Sequence, residues 1–153
     1  MINDIFKIFI IIMLLIISII DIKKMIIPDY ILLVGFITSL IYLVFSKNIY
    51  LENIFGSFIG FVIFLAIAFI TNAMGGGDIK LMALLGFIFG VKGVLFITVF
   101  SFIIGAIISV ILLILKLKEK NDFIAFGPFI SVSTFIYIFY GNIIIEYYIK
   151  ILS

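Results

Sequence analysis

Two aspartates of this chain lie at the ends of apolar segments, where a carboxylate could take part in chemistry. Asp21 ends the first segment, and Asp78 opens the fourth, directly after three glycines, Gly75, Gly76 and Gly77. Two carboxylates that converge can share one proton, because like charges at short distance resist double ionisation. One can then activate water as a general base while the protonated one polarises a carbonyl. This is the chemistry of an aspartic peptidase, which requires no metal.

The composition places these acids in a membrane protein. Of the 153 residues, 67% are hydrophobic and 12% are charged, whereas a soluble domain is about half apolar and a quarter charged. The chain contains no Arg, His, Cys or Trp, which removes thiol catalysis, Ser-His-Asp triads and His- or Cys-based metal sites. The net charge of +2 is too small to indicate nucleic acid. We therefore expect a lipid bilayer as partner, and no metal, cofactor or nucleic acid.

Six apolar segments predict an all-α, polytopic bundle of about six transmembrane helices, forming a single membrane domain over residues 1–153. A span needs about 20 apolar residues, and these runs lack the polar–apolar alternation of a β-barrel. The fourth segment is short enough to be a partial or tilted helix. The segments cover residues 5–20, 30–45, 54–73, 79–90, 94–117 and 129–151.

Loop charges predict the orientation of the bundle. Alternating helices place the loops after segments one, three and five on one side, and that side holds six of the ten lysines. The positive-inside rule makes it cytoplasmic, so both termini face outward. Asp21 and Asp78 then share the cytoplasmic boundary. The glycines would end the third segment in a close turn, and Asp78 would lie near a helix N-terminus, where the helix dipole favours an anion.

Each of these residues also has a purely structural interpretation. The three glycines could form a tight turn between packed helices. Asp21 could be a helix-end acid paired with Lys24. Asp29, which follows Pro28, could be the N-cap of the second helix. Taken one at a time, these interpretations are the simpler ones.

Taken together, three motifs resemble the type IV prepilin peptidase family, the GxGD-type aspartic peptidases of bacterial and archaeal membranes. Residues 75–80, G-G-G-D-I-K, match the G-x-G-D motif, and Lys80 matches its usual sequel. In the first motif Asp21 stands six residues before Ile27-Pro28, with Asp29 at a position where Asn is frequent. The third motif is F-G-P-F, residues 126–129, which contains Gly127 and Pro128.

The resemblance implies a function for the chain. Asp21 and Asp78 would be the catalytic pair of an endopeptidase that removes a short basic leader from prepilin-like precursors (pilins, pseudopilins or archaellins) at the cytoplasmic face. Larger family members carry paired cysteines and a methyltransferase activity. This chain has no cysteine, so its similarity to the short forms predicts no methyl transfer. Asp29, Glu119 and Asp122 could guide the basic leader by weak, salt-screened attraction.

Two other classes of function stay open at this point. The chain could be a non-catalytic homologue that acts as an assembly scaffold. It could also be a small proton- or cation-coupled carrier, since acids within membrane segments often mark ion pathways. A carrier would more naturally hold its acid near the bilayer midplane in a broken helix, whereas Asp21 and Asp78 lie at segment ends.

The predicted orientation can be tested by single-cysteine labelling, because the native chain has no cysteine to interfere. We expect a membrane-impermeant maleimide to reach Lys116→Cys only from the cytoplasmic side and Lys47→Cys only from outside. Labelling of both positions from the same side would contradict the alternation of the helices.

Overall fold

A computed structural model describes residues 3–46, 51–71, 74–117 and 123–152, and all regular structure in these ranges is helical. Mean hydropathy along the chain is high, at +1.55, and each apolar run forms a helix because backbone groups in lipid must be satisfied within their own segment. The helices are α1 (Asp4–Lys24), α2 (Asp29–Phe45), α3 (Leu51–Thr71), α4 (Gly76–Ile114) and α5 (Gly127–Leu152).

Gly90 divides α4 into two helices, residues 76–89 and 91–114. Its φ of 70° and ψ of −170° are not helical, and a positive φ of this kind suits glycine. The predicted bundle of six helices is therefore confirmed, with a short fourth helix. The predicted loop between the fourth and fifth segments is wrong, because residues 91–93 are already helical.

The first half of α4 runs antiparallel to α3. Gly56 lies against Gly86, and Gly60, one turn further along α3, lies against Met82, one turn earlier in α4. These contacts bring backbone against backbone, which is possible where the side chain is a hydrogen atom. Close approach of this kind at small residues is a common way to pack helices in membranes.

The second half of α4 runs back along α3 and is parallel to it. Gly60 also lies against Val94, and the ring of Phe64, one turn further along α3, lies 5.9 Å from the ring of Phe102. The chain therefore reverses direction at Gly90. The buried Asn53 side chain donates a hydrogen bond of 2.8 Å to the Phe87 carbonyl at this reversal, where the helical hydrogen-bond pattern is interrupted.

The glycines before Asp78 begin a helix, and the prediction that they end the third segment is wrong. Gly75 is the N-cap of α4 and has an extended backbone, while Gly76 and Gly77 form the first turn. Thr71 is the last residue of α3. The amides of the first turn of a helix have no partners within the helix, so glycine is tolerated at this position.

Three described helices are long and apolar enough to cross a membrane, namely Asp4–Lys24, Leu51–Thr71 and Gly76–Ile114, and two shorter apolar helices cover Asp29–Phe45 and Gly127–Gly141. The fold is thus an all-α membrane bundle. Its helix α5 packs antiparallel on α1, since Gly127 contacts Asp21 and Ser131 contacts Leu14. This packing brings the end of α1 to the start of α5.

The close contact between α3 and α4 predicts a strong effect of one added methyl group. A Cβ on Gly86 would overlap the carbonyl of Gly56 and lie 2.9 Å from the amide nitrogen of Ser57. Because backbone atoms cannot move aside cheaply, we expect Gly86→Ala to lower the free energy of unfolding by about 1–3 kcal/mol or more. Thermal unfolding in detergent measures this.

Gly76→Ala is the matched control, since it adds the same methyl group to the same helix where no atom lies within 4 Å. We expect this variant to unfold at the temperature of the unaltered protein. Equal melting temperatures for Gly86→Ala and Gly76→Ala would show that the α3–α4 contact has room for a methyl group.

Candidate active site

A cavity of about 350 Å³ lies where α1 ends and α4 and α5 begin, and both predicted carboxylates line it. We call it the carboxylate cavity. Its other walls are mostly apolar, from the segment after α1 and the segments before α4 and α5. The lining residues are Asp21, Met25, Met74, Gly75, Asp78, Phe123, Ile124, Ala125 and Phe126.

Asp21 lies in the last turn of α1 and is only 5% exposed. Its Oδ2 accepts a hydrogen bond of 2.8 Å from the Gly127 amide, at the N-terminus of α5. A free amide at a helix start is well suited to bind an anion. The alternative interpretation, in which Asp21 pairs with Lys24, is wrong. The hydrogen-bond partner of Asp21 is the Gly127 backbone amide, and Lys24 is exposed.

Asp78 lies in the first turn of α4 and is 8% exposed. Its Oδ2 accepts a hydrogen bond of 3.3 Å from the Gly75 amide, which caps the helix. Its Oδ1 is buried and has no hydrogen-bond partner among the described residues. Asp78 and Asp21 are close enough to interact electrostatically. Asp78 therefore keeps one buried oxygen available for a proton or an incoming group.

Both carboxylates extend the buried faces of their helices. In α1, Asp21 follows Ile10, Leu14 and Ile17 at spacings of three and four residues, all of them buried. Asp78 stands in the same way before the buried Leu81 in α4. Residues at these spacings lie on one face of a helix, so both acids point inward with the core side chains.

Of the three glycines, Gly77 is the one that needs to lack a side chain. A Cβ there would lie 2.7 Å from Cβ of Ile27, a buried residue in the segment between α1 and α2. Gly76 faces open space, and the nearest heavy atom to a Cβ on Gly75 is Oδ2 of Asp78, at 3.7 Å. The first turn of α4 thus packs directly on the segment that follows Asp21.

Lys80 and Asp29 form an ion pair at the rim of this contact. Lys80 Nζ lies 2.7 Å from Oδ1 and 2.8 Å from Oδ2 of Asp29. The prediction that Asp29 caps α2 is wrong, because the N-cap is Pro28 and Asp29 is the first helical residue, with its carboxylate directed to Lys80. A proline there suits the extended backbone before a helix.

The third motif contributes through its backbone. The Phe126 carbonyl accepts hydrogen bonds from the amides of Phe129 and Ile130, which starts α5. Pro128 stands in the first turn, where a missing N–H breaks no helical bond. A Cβ on Gly127 would lie 2.7 Å from Oδ2 of Asp21. The sequence indicated Gly127 by motif alone; only the fold shows that its amide holds Asp21.

Two predicted leader contacts, Glu119 and Asp122, lie outside the described residues, so the structure does not place them. Several cavity residues were missed by the sequence reasoning, among them Met25, Met74 and Phe123. They are ordinary apolar residues in an apolar chain, and no local signal distinguishes them from lipid-facing side chains.

The fold and the cavity define a class: a helical membrane protein with two buried aspartates at the ends of its helices. Residues 8–110 match the type IV leader peptidase family, and the chain belongs to this family. The prepilin leader peptidase/N-methyltransferase of Bacillus subtilis is 33% identical over 141 residues, covering 90% of this chain and 56% of that protein.

Two further relatives carry the same description. The protein of Pseudomonas aeruginosa is 31% identical over 90% of this chain and 50% of its own length. That of Legionella pneumophila is 31% identical over 85% of this chain and 48% of its own length. No solved structure matches the chain. The chain thus spans about half the length of the curated relatives it matches.

Proposed function

We propose that this protein is an aspartic endopeptidase that removes the short basic leader from prepilin-like precursors at the cytoplasmic face of the membrane. The observation that carries the proposal is the convergence of two buried carboxylates, Asp21 and Asp78, in one cavity. Membership of the type IV leader peptidase family supports it.

The hydrogen bonds favour different roles for the two acids. Asp21 accepts a bond of 2.8 Å from the Gly127 amide, and such a bond stabilises the ionised form. Asp78 has a longer bond, 3.3 Å from Gly75, and a free Oδ1. Two neighbouring carboxylates share one proton, which in this arrangement resides on Asp78. Asp21 is then the general base and Asp78 the general acid.

The proposed reaction is a metal-independent hydrolysis. Asp21 takes a proton from water, the resulting hydroxide forms a bond to the scissile carbonyl carbon, and Asp78 gives its proton to the carbonyl oxygen. The tetrahedral intermediate then collapses: the carbon–nitrogen bond breaks, Asp21 returns its proton to the leaving amine, and Asp78 recovers its own. The carboxylates end in their starting states.

The substrate class comes from the relatives, whose names describe prepilin leader peptidases. A prepilin-like precursor has a basic leader followed by an apolar helix. The helix can lie against the bundle in lipid while the leader stays at the aqueous surface, which brings the cleavage site to the depth of the carboxylate cavity. Glu119 and Asp122 would attract the leader. Leader removal alone is proposed, without methyl transfer.

The dyad is tested by replacing each carboxylate with an amide of similar size. We expect Asp21→Asn and Asp78→Asn each to reduce cleavage of a synthetic precursor at least about 100-fold, the range of general acid–base catalysis. The measurement uses purified protein in detergent and follows the shortened product. Thermal unfolding of both variants checks that they remain folded.

Asp4→Asn is the control, since Asp4 is an exposed acid at the opposite end of α1, paired with Lys7. We expect it to cleave at the normal rate. Turnover by either dyad variant within about tenfold of the unaltered protein would refute the assignment, since a proton-transferring group contributes more than that.

A second prediction concerns the contact between Gly77 and Ile27. Gly77→Ala forces the loop and the first turn of α4 apart, because the two Cβ atoms would be 2.7 Å from each other. This separates Asp78 from Asp21, and a displacement near 1 Å can reduce the rate about 100-fold. We expect cleavage to fall about 10- to 100-fold.

Gly76→Ala is again the matched control, with no atom near the new methyl group. We expect its cleavage rate to stay within about twofold of the unaltered protein. If Gly77→Ala and Gly76→Ala cleaved equally well, the glycine contact would have no part in placing the carboxylates.

A further inference from the structure

The segment between α1 and α2 follows Asp21 along the chain and packs on the helix turn that carries Asp78. Asp21 lies in the last turn of α1, and Met25, a left-handed residue with φ of 53°, donates its N–H to the Asp21 carbonyl at 2.7 Å. The chain then passes through Ile27, which packs on Gly77. It reaches Asp29, which pairs with Lys80, two residues after Asp78.

We propose that Asp29 and Lys80 are a positioning pair, whose ion pair holds this segment on α4 and so fixes Asp21 against Asp78. The inference rests on the proposed function, since it assigns a role in leader cleavage. It differs from the sequence-based expectation that Asp29 contacts the leader. Neither residue is among those that line the carboxylate cavity.

The geometry of the pair suits positioning. Lys80 Nζ contacts both carboxylate oxygens of Asp29, so the ion pair fixes the distance between the start of α2 and the first turns of α4. The packing of Ile27 on Gly77 is a second contact between the segment and the first turn of α4. The contact between Ile27 and Gly77 is apolar and does not fix the orientation of the segment, whereas the ion pair does.

The exposure of the pair limits the size of its effect. The side chains of Lys80 and Asp29 are 55% and 71% exposed, and ion pairs in water are weak and screened by salt. The pair therefore contributes little to folding. Its loss changes the ratio of molecules with the segment closed to molecules with the segment open by about two- to fivefold, which the rates of cleavage and of labelling report.

The kinetic test uses Asp29→Asn and Lys80→Met. We expect each to lower kcat about two- to fivefold with KM unchanged, and the double variant to lower it no further. The exchange Asp29→Lys with Lys80→Asp should restore most of the loss. In about 1 M salt, where the Debye length is about 3 Å, the unaltered protein should fall to the rate of the variants.

The chain offers a matched control pair. Lys7 and Asp4 form an ion pair of 2.9 Å near the start of α1, at the end of that helix opposite to Asp21. We expect Asp4→Asn to have normal kcat and salt dependence. An equal loss in Asp4→Asn, a rise in KM for Asp29→Asn, or a failure of the exchanged pair to restore kcat would each overturn the proposal.

A labelling experiment tests the pair without catalysis. Ile27 is 6% exposed, so a maleimide reaches Ile27→Cys only when the segment opens. We expect labelling about two- to fivefold faster with Asp29→Asn and unchanged with Asp4→Asn. Equal labelling rates in all backgrounds would refute the positioning pair, even if Asp29→Asn slowed cleavage. Normal cleavage by Asp21→Asn would instead refute the proposed dyad and leave the labelling result to be judged independently.

Discussion

A buried carboxylate is unfavourable unless its oxygens accept hydrogen bonds, and this chain buries two of them in one cavity. Each is placed beside the N-terminus of a helix, Asp21 against the Gly127 amide and Asp78 against the Gly75 amide. These amides lack helical partners, so they can stabilise an anion at no loss to the helix. The carboxylate cavity accordingly lies where α4 and α5 begin, and the rest of the bundle brings those two helix starts to the end of α1.

The reversal of α4 at Gly90 is what makes this arrangement possible in so short a chain. Residues 76–89 run from the cavity along α3, and residues 91–114 return along the same helix and reach the cavity wall at Phe102 and Gly105, which lie against Phe126. A tight reversal requires a positive φ at Gly90, and close contact with α3 requires hydrogen atoms at Gly56 and Gly86. Glycines far from the carboxylates thus hold together the helix pair whose first turn carries Asp78.

The sequence predicted what depends on local pattern and missed what depends on contacts between distant segments. The six apolar runs indicated six helices, and Asp21 and Asp78 stood out because acids are rare in such runs. The pairing of Asp29 with Lys80 was missed, since the two are 51 residues apart and Asp29 after a proline has the local appearance of an N-cap. The sequence also did not indicate the role of the Gly127 amide, because every residue except proline has a backbone N–H donor.

The described interior beyond the cavity is mostly apolar. In the described part of the chain, the ring of Phe126 lies at the cavity wall and packs on Phe64 and Phe102, and the aliphatic core of the bundle continues beyond these rings. Most of the buried hydroxyls that do occur there, such as those of Ser39 and Ser101, donate to the carbonyl four residues earlier in their own helix. The two acids thus lie where this mostly apolar core meets the carboxylate cavity.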